Sequence, residues 1–178
     1  MNLLEAFKQL DIINELLEKK NNKEKSSINK NQVDTWKSQF YTEADLGFPQ
    51  MTGNVKPYFS RDFAQSFIEF RERFTKVEID AIIKKLKDAI SSFSKTGKPE
   101  GISSEKINGI DHTMFELKLG NTTITKKPVR CLYFITRDSQ NQNCVIIANI
   151  LIHTNSNLSA KERNSGKNAY ISVNSTKK

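Results

Sequence analysis

Cysteine, histidine and proline are all scarce in this 178-residue chain, with two, two and four copies. Two thiols are too few for a disulfide-stapled fold. Cys131 and Cys144 fall on the two arms of a hairpin expected to turn at residues 138–143. At ~3.3 Å per residue that sets them roughly 20 Å apart, beyond disulfide reach, so both are expected to be buried free thiols. There is no CxxC pair and no Cys/His cluster, so no metal site is predicted, and no other cofactor is implied. Long apolar runs are missing as well: none approaches the ~20 residues of a membrane-spanning helix. The opening MNLLEAFKQLDIINELLEKK has acids inside its apolar pattern and no basic start, which argues against a signal peptide. These absences predict a cytoplasmic protein.

Acidic residues run short in the last third of the chain. Residues 1–55 hold 7 Lys/Arg against 8 Asp/Glu, whereas from Thr113 onward the balance is 10 against 3, within a net charge of +8. Basic charge gathers where the strand signal lies, which points to a polyanionic partner, nucleic acid first. The plain alternative is a solubilising surface.

What is present divides the chain into four parts. Residues 1–32 join an amphipathic helix, with Leu3, Leu4, Phe7, Leu10, Ile13 and Leu17 at helical spacing, to a polar linker. That apolar stripe must be buried on the chain's own domain or on a partner, for example in a dimer formed through this helix. Residues 33–54 form a connecting segment, in which Asp34 is expected to cap a short helix carrying Trp36, Phe40 and Tyr41. The main domain is expected over residues 55–172. It opens with a short strand at 55–59, which Pro57 restricts to an edge or a strand start. Ser60 can cap a helix with Phe63, Phe67, Phe70 and Phe74 on one face. A Thr75–Glu78 capping box then starts a second helix, with Ile79, Ile82, Leu86 and Ile90 in its stripe. Strands follow at 112–119, 129–136 and 143–153, then a short helix weakened by Gly166. Residues 173–178 are expected to be a disordered tail. The order predicts an α+β fold: a helical hairpin packed on one face of a small antiparallel sheet, with the other face free.

A lone arginine, Arg130, opens the strand pair, and a lone histidine, His153, closes it. Strand alternation puts Arg130 on one face with Leu132 and Phe134. With the turn centred between Gln140 and Asn141, Arg130 faces Leu151. His153 then lies diagonal to Arg130 on the same face, roughly 5–8 Å away. A one-residue register slip would undo this.

The succession of MFELKL, VRCLYF, a second apolar strand and KERNSGKNAY resembles the RelE/ParE superfamily of toxins, closest to its HigB-like branch, over residues 55–170. The resemblance implies a RelE-like fold and the toxin role in a type II toxin–antitoxin system. Such a toxin is a metal-independent endoribonuclease that inhibits growth by cleaving mRNA, often on the ribosome, and it is neutralised by a cognate antitoxin. The ParE branch instead poisons DNA gyrase. The alternative is therefore a non-catalytic interaction protein of the same fold, a gyrase poison or a regulatory nucleic-acid-binding module.

Carried over residue by residue, Lys118 takes the position of the arginine in the family's YELR-type strand. Glu116 takes that motif's glutamate, with a structural role. Arg130 takes the arginine that opens the next strand and is assigned to the phosphate. Attack by the 2′-hydroxyl develops charge on non-bridging oxygens, which fixed guanidinium or ammonium groups stabilise. His153 stands near where HigB-like chains carry F-x-K-K, a departure from the pattern. Its imidazole titrates near neutrality and suits a general acid or base. Lys126, Lys127, Lys161, Arg163 and Tyr170 complete the expected RNA-binding set, Tyr170 as a base-stacking ring. The plain readings are a rim ion pair for Arg130, solvated charges for Lys161 and Arg163, and packing on the sheet for Tyr170.

Overall fold

The two apolar runs on either side of residue 140 do pair, and the rest of the molecule is assembled around them. A computed structural model describes residues 34–94, 99–100, 104–107, 113–120, 128–152 and 158–175. Strands β1 (Lys56–Phe59), β2 (Ser104–Ile107), β3 (Met114–Lys118), β4 (Val129–Arg137) and β5 (Asn143–Ile152) form one sheet in the order β1-β5-β4-β3-β2. Helices α1 (Arg61–Arg73) and α2 (Lys76–Ser91) lie between β1 and β2 in sequence, and α3 (Ala160–Asn174) follows β5. The protein is a mixed α+β structure. Among the described residues no helix is long and apolar enough to cross a membrane. The expected N-terminal helix and linker, residues 1–32, lie outside the described residues.

Local sequence signals account for the helix starts. Ser60 Oγ accepts from Phe63 N at 3.0 Å, and Thr75 and Glu78 make both halves of a capping box. Asp34 does not cap. The 3-10 helix Thr35–Gln39 has no side-chain cap, because the Asp34 carboxylate is taken by the backbone and hydroxyl of Ser139.

The sheet corrects one expectation. β2 to β5 pair antiparallel, but β1 runs parallel to β5. Two helices and three strands separate β1 from β5 in sequence, so no tight turn forces them antiparallel. β2 carries the sequence SEKI, which has no apolar alternation and hence no strand signal; it is an edge strand that exposes Glu105 and Lys106.

One sheet face, with Leu117, Cys131, Tyr133 and Ile147, joins Phe63, Phe67 and Phe70 of α1 and Ile79, Ile82 and Leu86 of α2 in a single core. The opposite face is not free. Met114, Leu132, Phe134 and Ile146 there pack with Ala169 and Val173 of α3 and with Trp36 and Phe40. Trp36, Phe40, Tyr41, Phe48 and Met51 are all buried, so the segment expected as a connector belongs to the core. The expected tail also starts too early: Val173 is fully buried and Asn174 is the last helical residue. The two thiols are free and buried, one in each core. Burial pushes the Cys131 thiol well above its ordinary value and, as the main cause, Cys144 to about 11, so both are poor nucleophiles.

Gly166 does not interrupt α3, which runs through it; it is where α3 approaches the sheet. A Cβ built there would stand 2.3 Å from Met114 Sδ, and Met114 is itself fully buried. Gly166→Ala gains about 1 kcal/mol in helix propensity. The overpacking against Met114 costs about 1–3 kcal/mol, so the single variant melts lower than the parent. In a Met114→Ala background the obstruction is gone and the same glycine change raises the melting temperature. Thermal denaturation of the four proteins checks this reversal of sign.

Candidate nucleic-acid interface

β3 and β4 place Lys118 directly opposite Arg130 as Cα partners. Alternation puts both on the face that also carries Met114, Leu132 and Phe134. Opposed like charges destabilise a strand pair, and here each cation has its own carboxylate. Arg130 Nη1 donates to Glu116 Oε1 on β3, and Lys118 Nζ donates to Glu105 Oε1 on β2. Glu105 and Glu116 are themselves Cα partners. Three neighbouring strands thus hold a skewed four-membered group of two acids and two bases, each ion pair running diagonally from one strand to the next.

The two ion pairs differ in exposure. The side chains of Glu116 and Arg130 are 8% and 24% exposed, whereas those of Glu105 and Lys118 are 62% and 34% exposed. Glu116 lies inside the sheet between β2 and β4; Glu105 lies on the edge strand. The hydrogen bond from Lys118 holds the Glu105 carboxyl below the usual carboxylate range.

Next to the turn, from Arg137 to Tyr133, the strand register is one residue off the expected one; from Leu132 to Val129 it matches. Arg130 pairs with Leu151, but the register shifts between Leu132 and Tyr133, leaving Ala148 as an extra residue on β5. Ser60 Oγ donates to the Ala148 carbonyl at 2.5 Å, which satisfies the bulge. β1 stops at the Phe59–Ile147 pair. Beyond that point a cavity of about 220 Å³ opens along β5, lined by Asn149, Leu151, Ile152, Phe70, Arg73 and Lys161, among others. Asn149 guards this strand edge. Its Oδ1 accepts from Ile150 N at 2.8 Å, and its Nδ2 donates to Ser165 Oγ on α3 at 3.0 Å.

The remaining expected residues separate. Lys161 is exposed and lines the cavity together with Leu151, the strand position that faces Arg130. Arg163 is half-buried and its Nε donates to the Leu158 carbonyl at 3.3 Å. Tyr170 stands edge-on to Phe134 with ring centroids 5.5 Å apart, a packing role. His153, Lys126 and Lys127 lie outside the described residues. Reasoning from sequence missed Glu105 and Asn149. Nothing in SEKI marks a strand, and an asparagine inside an apolar run gives no sign that it will brace a helix.

No family model, curated protein or solved structure matches this chain.

Proposed function

We propose that the chain is a toxin of the RelE/ParE type, closest to the HigB-like branch, which cleaves mRNA without a metal and is restrained by a cognate antitoxin. The RelE-like form of the fold, with α1 and α2 as a helical hairpin, belongs to this reading, as does action on ribosome-bound mRNA in the cytoplasm. The observation that carries it is the pairing of Lys118 with Arg130 across β3 and β4, with the Arg130 side chain still a quarter exposed. Glu116 engages one terminal nitrogen of Arg130. A guanidinium has five donors in a planar fork, enough to hold one carboxylate and one phosphate oxygen together.

In this reading the 2′-hydroxyl attacks the adjacent phosphorus, the bond to the 5′-oxygen breaks, and a 2′,3′-cyclic phosphate and a 5′-hydroxyl end result. Arg130 and Lys118 stabilise the pentacovalent phosphorane. His153 is assigned the proton transfer, since an imidazole is half-charged near neutrality. Lys126, Lys127 and Lys161 grip the RNA backbone. Arg163 and Tyr170 contribute less, because both already have structural contacts.

The test is incubation of the full chain with an mRNA in EDTA, alongside induction of the chain in growing cells. Cleavage to cyclic-phosphate ends and growth arrest are expected. Both fall by about 100-fold or more in Lys118→Met, the scale on which a transition-state charge contact is lost. One observation favours a second reading, the non-catalytic interaction protein: both cations already hold a carboxylate. Double-strand breaks in DNA with intact mRNA would select a gyrase poison. Steeply salt-dependent RNA binding without cleavage would select a regulatory binding module.

A further inference from the structure

The group of four charges is lopsided, and its two acids are not equivalent. Glu116 sits between two strands, 8% exposed, and fixes the guanidinium from the inside of the sheet. Glu105 stands on edge strand β2, 62% exposed, and reaches Lys118 from the rim. An ion pair between exposed side chains is weak in water and is easily exchanged for another anion. Rotating Glu105 outward leaves the sheet hydrogen bonds intact, whereas Glu116 has no such route. Lys118 faces Arg130 across β3 and β4, so whatever anion replaces Glu105 is held between two cations.

Resting on the RNA-directed reading above, we propose that Glu105 is a built-in gate, a carboxylate that occupies Lys118 in the free protein and that a ribose-phosphate backbone must displace to bind. Glu105 is then a positioning residue that acts through Lys118, and Glu116 is the fixed counterpart that aims Arg130. The arrangement sets RNA affinity below what the two cations alone would give. It also alters the ionic balance of binding. A Lys118 that starts on Glu105 leaves behind, when RNA arrives, a carboxylate that recaptures a cation, so net counterion release is smaller than for a bare lysine.

The experiment uses the full chain and a short single-stranded RNA carrying 2′-O-methyl groups, which removes the attacking hydroxyl and leaves binding alone. Binding is measured across a salt series for the parent, Glu105→Gln, Lys118→Met and the double variant. Glu105→Gln is expected to tighten binding about fivefold at low salt. It should also steepen the dependence of log affinity on log salt by about 0.7, the value of one additional phosphate contact on a single strand. In the Lys118→Met background the same glutamate change shifts affinity by less than about twofold. A merely structural role for Glu105 would not move the salt slope. If Glu105→Gln tightens binding equally with and without Lys118, the effect is a general charge effect and the gate is wrong. If the parent binds in a Lys118-dependent way and Glu105→Gln changes nothing, the gate alone falls. If neither protein binds RNA while both remain folded by circular dichroism, the gate and the RNA-directed reading fall together.

Discussion

Replacing Asp138 by alanine is expected to lower stability by about 3 kcal/mol and the melting temperature by roughly 6–12 °C. Asp138 closes β4, and its side chain is 1% exposed. Its Oδ1 accepts from the backbone of Gln140 at 3.0 Å and of Gln142 at 2.8 Å, so the carboxylate shapes the turn into β5. Its Oδ2 accepts from Lys37 Nζ at 2.8 Å, and Lys37 also holds Asp34 at 2.8 Å. Asp34 in turn binds Ser139. One buried carboxylate therefore joins the central hairpin to the segment that carries Trp36 into the core. Alanine would leave two backbone donors without their acceptor and the Lys37 ammonium with Asp34 alone. The effect depends on pH. Burial raises the carboxyls of Asp138 and Asp34, but hydrogen bonds from Lys37 and from the turn outweigh it and leave both below their ordinary values. A lowered folded-state value means the contribution is complete above about pH 4 and is lost as pH falls through the lowered values. Denaturation of parent and Asp138→Ala at about pH 6 and about pH 2.5 should show the gap between them narrowing in acid. A gap of the same size at both would remove the ionic part of this account and leave the turn alone.

Two of the three expected helix caps between near neighbours formed, Asp34 being drawn off by Ser139; contacts set by distant strands were not readable in the chain. Ser60 and the Thr75–Glu78 box lie within three residues of the donors they satisfy, and both caps form as written. The β4–β5 pair was readable because two long apolar runs flank a polar turn, but its expected register holds only from Leu132 to Val129, past the bulge, and is one residue off beside the turn. The bulge at Ala148 depends on Ser60, 88 positions away, and no local pattern announces it. α3 was undervalued because its buried side is made of Ser165, Gly166, Ala169 and Val173, small residues that score poorly as an apolar stripe yet allow a close approach to Met114. The candidate site divides in the same way. Lys118 and Arg130 could be named from the strand motifs. Their carboxylate partners could not all be named, because Glu105 becomes a neighbour only once β2, a strand without a strand's pattern, docks on β3.

Removing Arg130 is expected to do two separable things. Arg130→Met leaves the Glu116 carboxylate, 8% exposed, without its guanidinium. Breaking a buried pair costs about 3–5 kcal/mol; because Arg130 is itself 24% exposed, a smaller value, about 2–3 kcal/mol, is expected. A loss of toxicity in this variant would therefore be ambiguous, since a less stable protein is also a less abundant one. Pairing the change with Glu116→Met resolves it. Replacing both members of a buried ion pair by apolar residues of similar length is often close to neutral, so the double variant should recover most of the lost melting temperature. What it does not recover is the cation. Under the nuclease reading the double variant is folded, melts near the parent, and still fails to cleave RNA or arrest growth. Arg130→Lys is the complementary probe: it keeps the charge opposite Lys118 but loses the fork that can hold a carboxylate and a phosphate at once, so it should retain more stability than activity. A double variant that is both stable and fully active would make the guanidinium an internal counterion to Glu116 and nothing more, and the phosphate would then have to be held by other side chains.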